Sequence, residues 1–263
     1  MNTSPRSFPT GRDTLGWRKV FGVFGPSTNT VVEPEFAAMR PAGVTNQYRD
    51  LYIENAKALS DAAFMAGAEV IQAAMDDALR TAMTCEPDYL VMGVSAIAFI
   101  GGAAACERTI RHVEEFTGKG VSVGPQSCVE AIKAYGGIKR IAVLSPYYPV
   151  ANQHVARFFA DHGYQTVRDL PLRCKSWTDI SRVTEPQIAQ ALRQLDGDDI
   201  DAIVQVGTNL SMARMAPWAE VFLGKPVIAI NTATYWHALR TNGIRDAVDG
   251  FGPLLAHLDL KRD

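Results

Sequence analysis

The sequence predicts an α/β protein of two similar doubly wound lobes related by a pseudo-twofold, with a ligand site in the cleft between them. Three observations carry this expectation. Short apolar or β-branched runs alternate with longer amphipathic stretches. Three blocks of sequence recur in the same order. Each lobe's strands end in small polar residues. The recurrence is the most specific of the three. Lys19-Val-Phe-Gly-Val-Phe-Gly-Pro26 matches Lys139-Arg-Ile-Ala-Val-Leu-Ser-Pro146 at an offset of 120. Asp88-Tyr-Leu-Val-Met-Gly-Val-Ser95 resembles Asp201-Ala-Ile-Val-Gln-Val-Gly-Thr208 at an offset of 113. Gly118-Lys-Gly-Val-Ser-Val resembles Gly224-Lys-Pro-Val-Ile-Ala, and each is followed by a helical stretch ending in Gly136 or Gly243.

Taken in chain order, the apolar runs place strands at Val20–Phe24, Glu69–Ile71, Tyr89–Gly93, Val121–Val123, Arg140–Leu144, Thr166–Leu170, Ala202–Val206 and Val227–Ile230. Amphipathic segments between them read as helices over Tyr48–Ala66, Met75–Cys85, Ala104–Thr117, Asn152–Asp161 and Glu185–Leu195. Thr184, with Gln187 three residues on, reads as a capping box that opens the last of these. The Gly101-Gly-Ala-Ala-Ala105 stretch reads as close helix packing, since it lacks the spacing of a dinucleotide or P-loop motif. Residues 1–16 carry Arg6 and Arg12 among Ser, Thr and Pro without the apolar core of a signal peptide, and read as a flexible extension. The first lobe is expected over 17–133, with 244–263 as a candidate to complete it, and the second over 134–243.

Composition narrows the function classes. The chain has 263 residues, 26 Lys+Arg against 28 Asp+Glu, and 47% apolar residues, enough to bury a substantial core. A net charge of −2 and a pI near 6.2 offer no basic face for nucleic acid. No apolar run has the length of a membrane span. Cys85, Cys106, Cys128 and Cys174 form no CxxC pair, and the five histidines have no metal-ligand spacing. A cytoplasmic protein with no metal, nucleotide or flavin cofactor is the expectation, with monomer and homo-oligomer both open. His154 and His237 sit in helical stretches and read as surface or interlobe contacts.

The duplication also locates a site. Gly25-Pro-Ser-Thr-Asn29, Gly93-Val-Ser95, Ser145-Pro-Tyr-Tyr148 and Gly207-Thr-Asn209 fall at matched strand ends, where ligands of doubly wound sheets sit. Gly, Ser and Thr there leave backbone N–H groups and hydroxyls free to hold an anion. Tyr147 is the leading candidate, because a phenol at a strand end both binds an anion and passes a proton; Tyr148 is weaker. Ser95 and Thr208 are candidate donors. Cys128 follows Pro125-Gln-Ser127 at a helix N-terminus, where the dipole favours thiolate, and is a candidate relocated nucleophile or acid.

Gly25-Pro-Ser-Thr-Asn-Thr-Val-Val-Glu-Pro-Glu35 resembles the PSSNT-x-x-E-x-E segment of maleate cis-trans isomerases. Val91-Met-Gly-Val-Ser-Ala-Ile-Ala-Phe99 resembles the corresponding segment of arylmalonate decarboxylases, with one residue more before the Phe. Both groups belong to the Asp/Glu racemase superfamily, and the similarity runs from about residue 17 to about 245. The resemblance implies the two-lobe fold and cofactor-free chemistry beside the carboxylate of a small carboxylic or dicarboxylic acid. It also implies catalytic cysteines, two in the racemases and isomerases and the second alone in the decarboxylases. Here the first position falls on Gly93 or its neighbours Val94 and Ser95, and the second on Gly207, so neither lobe carries its thiol.

By the same resemblance Ser95, Tyr147 and the Gly207-Thr208-Asn209 backbone lie where decarboxylases hold a carboxylate and the developing enediolate. Val94 replaces a hydroxyl residue there, Asn29 lies where isomerases hold a carboxylate, and Ser27 neighbours it on the same turn. The first expectation is a cofactor-independent lyase, a decarboxylase working through an enediolate, with Phe24, Ile97, Phe99 and Met212 lining an apolar pocket. The alternatives are a cis-trans isomerase of a small unsaturated dicarboxylate and a non-catalytic carboxylate-binding protein.

Overall fold

The computed structural model describes residues 13–55 and 60–261. Most of the expected N-terminal extension, residues 1–12, lies outside the described residues. Two four-stranded parallel sheets share one strand order. In the first, β1 (Lys19–Pro26), β2 (Val44–Leu51), β3 (Tyr89–Met92) and β4 (Val121–Ser122) run β2-β1-β3-β4. In the second, β5 (Arg140–Ser145), β6 (Gln165–Pro171), β7 (Ala202–Gln205) and β8 (Val227–Ala229) run β6-β5-β7-β8. Phe21 pairs with Tyr89 and Ile141 with Ala202, so the registers repeat with the same two offsets as the sequence blocks. The duplication is therefore structural, register included, in the central strand pair of each sheet; the edge pair departs from it, since β5–β6 shifts register between Ile141 and Ala142 and β1–β2 does not.

Eleven helices connect these strands among the described residues: α1 (Val32–Ala38), α2 (Asp61–Ala73), α3 (Met75–Met83), α4 (Ala96–Phe99), α5 (Gly102–Thr117), α6 (Gly124–Tyr135), α7 (Pro149–Asp161), α8 (Glu185–Leu195), α9 (Met215–Leu223), α10 (Ile230–Thr241) and α11 (Pro253–Ala256). The α8 start is the expected one, with Gln187 Oε1 accepting from the Thr184 N–H at 2.8 Å. Gly102, at φ +74, faces the end of α7 so closely that a Cβ there would lie 2.4 Å from Asp161 Oδ2. The expected close packing is thus a glycine requirement.

Two expectations fail in the first lobe. The segment read as a helix over Tyr48–Ala66 begins inside β2, and residues 56–59 of it lie outside the described residues. β2 is an edge strand, and Thr45-Asn46-Gln47-Tyr48-Arg49-Asp50 is only half-buried, so it carries no apolar run to betray it. Glu69–Ile71, read as a strand, lies inside α2, which Ser60 caps by accepting from the Ala63 N–H at 3.1 Å. Phe64, Ala68 and Ile71 are its buried face, and their 3.6-residue period outweighs a three-residue apolar run.

The lobes are tied by an element that changes sides. α10 leaves β8 of the second sheet and packs on α1, β3 and β4 of the first, and against α6. Tyr235 of α10 stacks on Phe36 with ring centroids 4.9 Å apart and donates to Asn46 Oδ1 at 2.9 Å. Trp236 and Tyr235 are fully buried, and each large aromatic removed from water contributes roughly 1.5–3 kcal/mol. Buried Arg240 fastens the C-terminal segment, donating to Ile244 O at 2.8 Å and Leu258 O at 3.0 Å. An Arg18–Asp246 ion pair at 2.6 Å joins that segment to the start of β1. No helix among the described residues is long and apolar enough to cross a membrane.

His237 makes the expected interlobe contact, with Nδ1 2.8 Å from Ser122 Oγ on β4. Burial pushes its pKa down to about 4. The folded state therefore binds fewer protons than the unfolded chain between the ordinary histidine pKa and that value, and stability is lost as pH falls through this window. Thermal unfolding followed from pH 7 to pH 4 should show a declining melting temperature that is flatter in His237→Gln. His162 is shifted the same way, so the difference between the two proteins is the diagnostic quantity. Superimposable profiles would remove His237 from this account.

Candidate active site

The four polar strand ends line one partly open space between the lobes. It is a cavity of about 30 Å³. Thr28, Asn29, Ser95, Tyr147, Thr208 and Asn209 give it hydroxyl and amide groups; Ile53, Ile71, Val94, Trp177 and Ile180 give it an apolar wall. No side chain lining it is ionisable in the neutral range, and none is a cysteine. The volume is one or two water molecules' worth. The polar groups that line it bond one another across the lobes.

The bonds can be followed strand end by strand end. Ser95 Oγ, at the end of β3, lies 2.6 Å from the Tyr147 hydroxyl after β5. The Thr208 N–H, after β7, donates to Ser95 Oγ at 3.3 Å, and the Thr208 hydroxyl donates to Gly93 O at 2.9 Å. Asn29 Nδ2, after β1, donates to Thr208 Oγ1 at 3.1 Å, while Asn29 Oδ1 accepts the Val31 and Val32 N–H groups and caps α1. Asn209 Oδ1 accepts from the Thr30 N–H at 3.0 Å, and Asn209 Nδ2 donates to Trp177 O at 2.9 Å. The backbone N–H groups of Ser95, Ala96 and Asn209 find no acceptor among the described residues. Three unpaired amides beside a small cavity are the resource an anion would use.

Burial raises the Tyr147 pKa, opposed by its hydrogen bond to Ser95. The phenol holds its proton at neutral pH, and in its bond to Ser95 either hydroxyl can be the donor. Trp177 also lines the cavity, with its ring 5.3 Å from that of Phe64, which in turn lies 5.2 Å from the Tyr147 ring. Gly67 of α2 admits the indole, since a Cβ there would lie 2.7 Å from Trp177 Cζ2. Gly207 has φ +107, and a Cβ there would lie 2.4 Å from Pro146 Cδ. The position where a family thiol is expected is thus filled by its neighbour.

Of the residues singled out in the sequence, Asn29, Val94, Ser95, Tyr147, Gly207, Thr208 and Asn209 line the cavity. Gly93 lies just behind it, contributing the carbonyl that Thr208 uses. Ser27 is exposed and pins the chain after β2 through Ile53, whose N–H donates to Ser27 Oγ at 3.1 Å. Tyr148 precedes α7 and does not line the cavity. Cys128 is buried on α6 and is not among the lining residues, and burial raises its thiol pKa. The expected apolar lining is replaced outright. Phe24, Phe99 and Met212 belong to the core, and Ile97 faces a separate groove between α2 and α5. The true wall of Ile53, Ile71, Trp177 and Ile180 comes from the misread β2–α2 region and from an irregular stretch after β6. A hydrophobic residue without periodic context gave no signal there.

Comparison with known proteins places this geometry. The family model described as arylmalonate decarboxylase matches residues 22–255. Arylmalonate decarboxylase of Bordetella bronchiseptica is 26% identical over 239 residues, covering 87% of this chain and 97% of that protein. Maleate isomerase of Nocardia farcinica is 22% identical over 249 residues, covering 92% and 96%. A solved structure of that isomerase carrying a covalently bound succinylcysteine intermediate superposes with a TM-score of 0.81 at 22% identity, over 90% of this chain and 98% of the other. The Pseudomonas putida S16 maleate isomerase solved with maleate gives 0.82 at 18% identity, over 90% and 97%. Both named groups are enzymes with this two-lobe fold. With its model matched across most of its length, the chain belongs to the arylmalonate decarboxylase family.

Proposed function

We propose that the protein decarboxylates a small malonate-like acid without a cofactor and without a thiol. The observation that carries this reading is the lining of the cavity, which combines neutral hydroxyl and amide donors with the apolar side chains of Ile53, Ile71, Trp177 and Ile180. One carboxylate replaces the hydrogen-bond partners of Ser95 and Tyr147 and accepts from the free amides. The other faces Ile53, Ile71, Trp177 and Ile180, where an ionised carboxylate is poorly solvated and its loss as carbon dioxide is favoured. The C–C bond pair passes into the retained carboxylate, giving an enediolate. Donors aimed at such developing charge are worth roughly 2.7–4 kcal/mol each.

Tyr147 then supplies the proton to carbon. The electron pair of the enediolate takes the phenolic hydrogen, and water restores it to the phenolate. A phenol whose pKa is raised by burial stays protonated until so strong a base forms beside it. A thiol addition, by contrast, needs a cysteine at the cavity, and none lines it. The Gly25–Glu35 segment favours a second reading, cis-trans isomerisation of an unsaturated dicarboxylate, by a route other than thiol addition.

Proton NMR in deuterated buffer with substituted malonates and maleate separates these readings. Loss of a carboxylate with deuterium at the alpha carbon is the expected result. Maleate converting to fumarate selects the second reading, and binding without turnover of any compound overturns both. Tyr147→Phe should lower kcat about 10²-fold or more with little change in melting temperature. A wild-type rate in that variant would move the proton donor elsewhere. Trp177→Ala opens the apolar lining to water and should lower kcat roughly tenfold or more, equivalent to about 1.4 kcal/mol; unchanged turnover would discard the desolvation argument.

A further inference from the structure

Glu35, the last residue of the Gly25–Glu35 segment, has no part in the chemistry above. Its carboxylate nevertheless reaches from α1 across to the second lobe. Oε1 accepts from Ser211 Oγ at 3.1 Å and from the Ala213 N–H at 3.1 Å. Oε2 accepts from Asn231 Nδ2 at 2.7 Å. Every one of these partners donates, which fits an ionised, acceptor-only carboxylate. No Lys, Arg or His among the described residues forms an ion pair with it. Burial raises its pKa and the hydrogen bonds from Asn231, Ala213 and Ser211 work against that rise.

Asn231 carries the contact onward. The same Nδ2 donates to Thr208 O at 2.8 Å, while its own Oδ1 has no partner among the described residues. The amide is therefore oriented by its nitrogen alone, between Glu35 and the Thr208 carbonyl. A trans peptide is planar, with its C=O and N–H pointing in opposite directions. Holding Thr208 O toward Asn231 turns the next N–H, that of Asn209, the other way. That N–H has no acceptor among the described residues, and Asn209 lines the cavity.

We propose that Glu35 is a positioning residue: through Asn231 it fixes the Thr208–Asn209 peptide so that the Asn209 N–H is held ready for a bound carboxylate. The inference rests on the reading of the cavity as an anion site. A carboxylate is required at position 35 because both of its oxygens receive donors. In Glu35→Gln one oxygen becomes an NH2, so one donor meets another. If Asn231 rotates its amide to relieve this, its oxygen faces Thr208 O and the carbonyl loses its donor. If it does not rotate, Asn231 loses the acceptor that holds its nitrogen in place, so in both cases its hold on the peptide is weakened.

The test is a malonate titration followed in amide-resolved NMR, on the full-length wild type and on Glu35→Gln. In the wild type the Asn209 amide proton should move downfield on saturation. In Glu35→Gln that movement should shrink at least threefold and malonate should bind about tenfold more weakly, while the Ser95 amide still responds. Melting temperature should not fall in step, since burial already opposes the ionised form of Glu35; a purely structural contact would lower it. Should Glu35→Gln fail to fold, Asn231→Ala, which removes the relay and leaves the carboxylate, is read in the same way. An Asn209 amide that ignores malonate in the wild type, or responds equally in the variant, overturns the proposal. Carbon dioxide release without that response sinks the relay and keeps the decarboxylase; a Glu35-dependent response without carbon dioxide release does the reverse.

Discussion

Thr208 is the point on which the two lobes close. Its hydroxyl, N–H and carbonyl engage Asn29, Gly93, Ser95 and Asn231, three of them from the opposite lobe or its strand ends. Strand ends in a doubly wound sheet are open by construction, because the backbone ladder stops and leaves N–H and C=O groups unsatisfied. Two such ends facing each other satisfy part of that demand across the gap. What they leave over, a few amides and two hydroxyls that can change partners, is the chemistry of the site. The cavity is small because the satisfaction is nearly complete.

The same economy governs how the lobes are joined. A helix that departs one sheet and buries Tyr235 and Trp236 against the other makes the interface part of the core rather than a surface contact. Ring packing on Phe36 and Phe21 and the bond to Asn46 hold α10 against α1 and the first sheet. Asn231 stands at the start of that helix, so the element that welds the lobes also supplies a side chain that holds the site's backbone. Rigid burial at one end and exchangeable hydrogen bonds at the other are consistent demands on one helix.

The interior of the fold was legible because interior strands must be apolar on both faces. Val20–Phe24, Tyr89–Gly93, Arg140–Leu144 and Ala202–Val206 announce themselves, and they fall on the interior strands of the two sheets. The edge was not. β2 is half-wet, so the composition of Thr45–Asp50 carries no burial signal, and the helix drawn over it displaced the wall residues Ile53 and Ile71 from view. Polar residues of the site were found because small hydroxyl and amide side chains at duplicated strand ends have few other reasons to recur. Trp177 was not, since its place depends on the absent Cβ of Gly67, a contact 110 residues away that no local pattern encodes. For Cys128 the helix position suggests a reactive thiol, whereas its burial, which is tertiary and not written in the local sequence, raises the thiol pKa.

Pro146 sets what position 207 can carry. Its ring occupies the volume into which a side chain at Gly207 would project, and Gly207 itself holds a positive φ that other residues resist. A single codon change to cysteine at that position would meet both obstacles at once. Any side chain at 207 therefore needs the Pro146 ring displaced and the backbone reset together, so this corner of the cleft is shaped by two residues that constrain each other.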